Sequence, residues 1–352
     1  MLFSARVGDS VNLWKIHIAG SDSRVTGAPQ RLTSGTGLDV YPSLTADGRL
    51  VFAGLTNSLN VWTLPMDSNA GKVAGQLQRV TETIGPHQYA SLSADGKLLT
   101  YSSVRYGHPH VWIKDLKSGK ESPLTNSSAS ERAPQLSRDG SAVAYLSGDQ
   151  KANGFVVPVR GGVAERFCTD CAALYDLSPD NKVLLYRKGT AIRAFDLLSR
   201  RDSLFSRSDQ YGLSQFQFSP DGHWVTFEAA RHGRSRLFIA ALRDAMTVAP
   251  ESEWIPLTGD EGWADKPRWS PDGNLIYFVS NRDGFFCLWA QRVAKDTKWP
   301  TGKPVSIAHF HGSRLSIANV GFSLLGISAA RDKIAFNLGE LTGNIWVTNL
   351  SR

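Results

Sequence analysis

The chain has 352 residues, 41% of them hydrophobic and 20% charged, with ten Trp, nine Tyr and sixteen Phe. This composition excludes a disordered or low-complexity chain, and three Cys exclude a disulfide scaffold. The net charge of +7 invites an anionic partner, but Lys and Arg alternate with Asp and Glu, as in Lys114-Asp115-Leu116-Lys117, so a nucleic-acid footprint is disfavoured.

The first segment, 1–38, holds three strand-like stretches, LFSAR, NLWKIHI around Trp14 and QRLTSG, with no turn motif before them. It has neither the apolar core of a secretory signal nor a run long enough for a membrane helix, so the sequence as written is expected to be cytoplasmic. An extracytoplasmic place would follow if a membrane segment preceded it. The next unit, 39–86, opens with LTADGRLVFAGL. An apolar residue and a small hydroxyl residue end one strand, Asp47-Gly48 makes a tight turn, and alternating apolar residues begin the next strand. A third strand around Trp62 and a weaker fourth, QRVTETIG, follow.

The same motif recurs at Asp95, Asp139, Asp180, Asp221 and Asp272, at intervals of 41 to 51 residues, within units 87–130, 131–172, 173–212, 213–262 and 263–312. The turn aspartates are expected to be structural: their carboxylates accept nearby backbone N–H groups, and Gly takes the positive φ. In several units an aromatic, Trp112, Phe238 or Trp289, lies 17 residues beyond the Asp, at a position expected to pack between sheets. The last unit, 313–352, keeps the apolar pattern in ISAARDKIAFNL but places Ala330-Arg331 where the others have Asp-Gly, and it ends after a third strand around Trp346.

Four short strands per 40 to 50 residues are the period of propeller blades. The expected fold is an all-β propeller of four-stranded antiparallel blades in a single domain, 1–352. It has seven or eight blades, eight favoured, with incomplete terminal units and no helix beyond about three turns. Because both terminal units offer second and third strands, they are expected to meet at an open or strained junction, as in the C-terminal part of a longer protein.

The Ser-Pro-Asp-Gly turns of LSPDNK, FSPDGH and WSPDGN, the Trp-centred third strands and the trailing Leu-Thr resemble the TolB-type, WD-like propeller repeat of bacteria. That resemblance covers nearly the whole chain and implies a six-bladed relative. The last third, WSPDGNLIYFVSNRDGFFCLWAQRV with HFHGSR and FNLGELTGNIWV, further resembles propeller regions that follow a serine/threonine kinase or winged-helix domain. The resemblance implies a sensor or interaction region of a larger bacterial protein.

No catalytic motif stands out. The kinase signatures, the phosphate-binding Gly-rich loop and the Gly-x-Ser-x-Gly elbow are absent, so no catalytic, cofactor or metal residue is assigned. Cys168 and Cys171 read as a structural pair, thiol or disulfide. His108 with His110, and His309 with His311, stand two residues apart, which in a strand points both rings to one side, yet third and fourth ligands are not identifiable.

In such a blade the second-to-third loops and the crossings share one face, and here those segments are long and varied. Tyr106, His108, Arg231, Arg234, Trp263, Arg282 and Phe285 are the candidate binding residues on that face. The expected function is non-catalytic recognition of a protein or peptide, with a small molecule as the lesser alternative. A hydrolase or lyase site at the channel mouth is the competing reading, marked by converging carboxylates, histidines or a metal.

Overall fold

The hydroxyl-x-Asp-Gly repeat builds one turn many times over. In the copy at 93–98, Ser93 Oγ donates to Asp95 Oδ1 at 2.7 Å and accepts from the Leu98 amide at 3.0 Å, while the Lys97 amide donates to Asp95 Oδ1 at 3.1 Å. Ser137–Asp139, Ser178–Asp180, Ser219–Asp221, Ser270–Asp272 and Thr45–Asp47 make the same side-chain pair. Gly96, Gly140, Gly222 and Gly273 follow with φ between 69° and 73°, and Asn181 takes the position at 58°. Each turn thus satisfies its own backbone before any tertiary contact forms.

The computed structural model describes residues 1–7, 10–20, 23–83, 85–244 and 246–350, and of Tyr106 the backbone alone. The fold is all-β. Among the described residues the helical content is three single 3-10 turns, Glu251–Glu253, Ile317–Asn319 and Phe322–Leu324. The chain divides into two compact units.

The larger unit comprises Leu59–Gly312 and Ser316–Leu338. Five antiparallel sheets follow one another along it. Their strands, innermost first, are His87–Leu92, Leu98–Tyr106, His108–Asp115 and Glu121–Pro123; Glu131–Leu136, Ala142–Ser147, Asn153–Pro158 and Glu165–Cys168; Ala173–Leu177, Val183–Lys188, Ala191–Asp196 and Asp202–Ser206; Gly212–Phe218, Trp224–Arg231 and Arg234–Asp244, edged by Thr247–Val248 and Ile255–Pro256; and Ala264–Trp269, Leu275–Ser280, Cys287–Val293 and Pro300–Ala308.

A sixth set draws on both ends of the unit. Ile327–Ala329 pairs with the start of Lys333–Asn349, the Met66 and Ser68 amides donate to the Asp332 and Arg331 carbonyls at 3.0 Å, and Trp62 pairs with Arg79 of Gln78–Arg79. Each innermost strand packs on the next. Ile327–Ala329 packs on both Ala264–Trp269 and His87–Leu92, so six innermost strands close a cycle. Side chains stitch them together: the Leu136, Phe218, Trp269 and Leu92 amides donate to Ser91, Asp176, Gln217 and Ser328 of the preceding strand at 2.8–3.0 Å. Fully buried Asn337 fastens the closing joint, accepting from the Gly326 and Ala90 amides at 2.8 and 3.2 Å and donating to the His87 carbonyl at 2.8 Å.

Apolar residues fill the wedges between adjacent sheets, as where Phe205 of one sheet meets Phe216 and Phe218 of the next edge-on at 5.9 and 6.4 Å. Trp112 and Phe238 of the third strands are buried.

The smaller unit comprises Met1–Ser58, Ser313–Leu315 and Gly339–Arg352. Of its antiparallel strands, Leu2–Val7 and Ser10–Ile18 match the first two stretches read in 1–38, whereas the third, Val25–Arg31, lies earlier than QRLTSG and shares only Gln30 and Arg31 with it; Leu38–Leu44 pairs with the start of Arg49–Asp67. One expected hairpin is absent. The second and third strands of 39–86 form the continuous strand Arg49–Asp67, which passes from the smaller unit into the larger at Leu59. Corresponding turns elsewhere use Gly107, Gly189 and Gly233 at positive φ, whereas Thr56-Asn57-Ser58 supplies no glycine to reverse the chain. Lys333–Asn349 likewise runs straight through the expected second hairpin of 313–352.

Candidate functional site

Five of the six innermost strands carry a bulge near their start, with register shifts at Gln88/Ser91, Arg132/Gln135, Leu174/Asp176, Ser214/Gln217 and Asp265/Arg268. Tyr89, Ala133, Gln215 and Lys266 sit there at φ of 54–58°, a conformation that non-glycine residues adopt only when held. Bulges re-aim side chains, and these surround a cavity of about 420 Å³ at the ends of the innermost strands where the crossings enter.

Among the described residues four cations line this cavity, Arg132, Arg187, Lys266 and Arg268, and no carboxylate does. Two of them are occupied by backbone. Arg268 donates to the Ile327 and Pro267 carbonyls at 2.8 and 2.7 Å, and Arg132 donates to the carbonyls of Gly148 and Asp149. Lys266 is 4% exposed, yet among the described residues no group hydrogen-bonds or ion-pairs with its ammonium. Burial pushes the Lys266 pKa down against the pull of Asp265. The Arg187 Nε and the Tyr175 hydroxyl are buried without a hydrogen-bond partner. Nearby, desolvation pushes half-buried Asp176 up to about 6, with Arg138 opposing, and buried Glu228 is raised by desolvation and by Asp265. The cavity wall is therefore a cationic surface whose polar groups are incompletely satisfied.

No protein-family model and no curated relative matches the sequence. Solved structures do. A TolB protein from Agrobacterium tumefaciens is 17% identical and superposes with a TM-score of 0.61 over 80% of this chain and 98% of that one. TolB from Acinetobacter baumannii is 14% identical, with a TM-score of 0.51 over 86% and 79%. A chain of the nidogen/laminin complex is 9% identical, with a TM-score of 0.51 over 70% and 93%. By fold this is a TolB-like β-propeller. At these identities the likeness speaks of architecture alone.

On the TolB-like scaffold the loop candidates scatter. Of those with described side chains, none lines the cationic cavity. His108, Arg231, Arg234 and Phe285 are exposed, and Trp263 and Arg282 are half-buried. The side chain of Tyr106 lies outside the described residues. Arg231 and Arg234 face a shallow depression with Tyr211, Arg236 and Asp260. Arg282 pairs with Glu261 at 3.2 Å, and the Trp263 amide donates to Asn281 Oδ1 at 2.6 Å.

The histidine pairs diverge. A register shift at His108/Pro109 breaks the period of two, leaving His108 exposed while His110 is buried, its Nδ1 2.9 Å from Glu131 Oε2. His309 and His311 do converge, with Nδ1 of the first 3.1 Å from Nε2 of the second, and Asp283 and Cys287 join them. Cys168 and Cys171 form a disulfide in the apolar cluster that also holds Phe167 and Tyr186. Among the described residues no helix is long and apolar enough to cross a membrane.

The cavity cations were missed. Their signal was present: Lys266 and Arg268 stand with Asp265 in ADKPRW, an innermost strand buried along its whole length, where two cations against one carboxylate leave a buried charge that must have a purpose or a partner.

Proposed function

We propose that this chain is a non-catalytic recognition propeller that admits an anionic group, the carboxylate of an acidic peptide, into the channel of its larger unit. The observation that carries this reading is a cavity of about 420 Å³ lined, among the described residues, by four cations and no carboxylate, with the ammonium of buried Lys266 and the Nε of half-buried Arg187 both lacking a partner. The volume suits a side chain or short terminus rather than a folded domain. An anion there would pair with Lys266 and hold it protonated, recovering the charge that burial opposes. The loop residues Arg231, Arg234 and Arg282 would then meet the rest of the partner.

In this reading the larger unit works as a six-bladed ring, and the strands of the smaller unit are an addition to it rather than blades seven and eight. The channel mouth has cations where a hydrolase or lyase would need converging carboxylates or histidines, which favours binding over chemistry. The interaction or sensor role within a larger bacterial protein, and an oxidising compartment that would preserve the Cys168–Cys171 disulfide, belong to the same proposal.

The test is calorimetric titration with citrate, with a glutamate-rich peptide and with its glutamine counterpart. Citrate and the acidic peptide should bind, the glutamine peptide at least tenfold more weakly. Equal affinity for both peptides, or binding to neither acidic probe, would sink the proposal.

A further inference from the structure

At the loop end of the sheet Ala264–Trp269 to Pro300–Ala308, three separate segments converge. Asp283 lies in the second-to-third turn, Cys287 opens the third strand, and His309 and His311 follow the fourth. Asp283 Oδ2, His309 Nδ1 and His311 Nε2 form a triangle with every edge at 3.1 Å. All four ligand atoms, Cys287 Sγ included, fall within 4.8 Å of one another.

Hydrogen bonding alone leaves this triangle poorly satisfied. Protons on both ring nitrogens would serve the carboxylate but face each other at 3.1 Å. With either nitrogen bare, one carboxylate contact becomes lone pair against lone pair. A cation at the centre satisfies every edge at once. Bonds of about 2.05 Å in a tetrahedral zinc site put ligand atoms about 3.3 Å apart, close to the spacing here.

The surroundings hold the donors in ligating poses. Ser306 Oγ lies 2.7 Å from His309 Nε2, which leaves Nδ1 to face inward. The Phe285 amide donates to the other Asp283 oxygen at 3.3 Å, the Phe310 amide donates to Cys287 Sγ at 3.4 Å, and Phe285 stacks on His311 with centroids 4.3 Å apart. The two imidazoles are about half exposed, so they have room to close on the buried sulfur.

We propose that Asp283, Cys287, His309 and His311 bind one zinc ion. A mixed nitrogen, sulfur and oxygen set in tetrahedral arrangement selects Zn²⁺ over Ca²⁺ or Mg²⁺. Binding displaces the Cys287 thiol proton to solvent and leaves a zinc thiolate. The ion would tie the exit of the outer strand to the second-to-third turn of the same sheet, on the loop face.

The experiment strips the intact chain with a chelator and titrates it with Zn²⁺ against a chromophoric competitor, then repeats the titration with Co²⁺ as a spectroscopic probe. The expected result is one equivalent of zinc, and a cobalt spectrum with tetrahedral ligand-field bands and a thiolate charge-transfer band. Cys287→Ser should abolish the charge-transfer band, and the exposed-site variant His311→Gln should weaken zinc binding at least tenfold without unfolding the chain. No stoichiometric zinc, octahedral cobalt, or unchanged affinity in His311→Gln would each overturn the assignment.

Discussion

A serine or threonine and an aspartate two residues apart determine each turn. Truncating Asp221 to Ala should cost about 1 kcal/mol, because the Ser219 hydroxyl and His223 amide lose their acceptor. Chemical denaturation of the variant checks this, and unchanged stability would contradict it. Asp95 adds a pH signature. Its bond from Ser93, then its contact with Lys97, hold its carboxyl at about 2, below its unfolded value. The stability it contributes is therefore fully present above about pH 4 and lost as pH falls toward 2. Over that window Asp95→Ala should lose less stability than the parent chain. These residues were legible because their partners lie within five positions along the chain. Lys266 and Arg187 were not, since nothing local says that strands 79 residues apart face one cavity. The same holds for Asp283 and Cys287: His309 and His311 were visible as a pair, but their further ligands come from a turn and a strand elsewhere in the sheet.

At the scale of elements, period-two alternation bounded by Asp-Gly turns marked the strands of the five regular sheets in order. It did not reveal that 49–67 and 333–349 run straight. Alternation is identical in a hairpin and in one long strand, and only the turn chemistry between the halves distinguishes them. Nor did it reveal the closing joint. There Gly326 lies so near the first sheet that a Cβ would stand 2.2 Å from the Ala90 nitrogen and 2.6 Å from its oxygen, both backbone atoms. Gly326→Ala should destabilise the chain by roughly 1–3 kcal/mol through overpacking, whereas Gly312→Ala, with nothing within 4 Å, should stay within about 0.5 kcal/mol. Differential scanning calorimetry of both variants decides. Equal melting temperatures would mean that Gly326 does not set the joint.

For the molecule as a whole, every turn motif and both terminal aromatic strands suggested a blade, which is how the sequence favours eight. The cycle of innermost strands in the larger unit has six members, because a stretch near each end of the chain joins to make the last. Ring closure is a long-range property that removes exposed sheet edges, and a repeat count registers only local periods. A closed ring gives the channel its fixed walls, and the walls give the channel its charge. The decisive measurement is the affinity of the glutamate-rich peptide for two double variants compared with the parent chain. If recognition occurs in the channel, Lys266→Met with Arg187→Met should weaken binding at least tenfold, while Arg231→Ala with Arg234→Ala, at exposed positions that meet only the rest of the partner, should weaken it by clearly less. Loss of binding in the loop variant alone, with the channel variant folded and unaffected, would contradict the account.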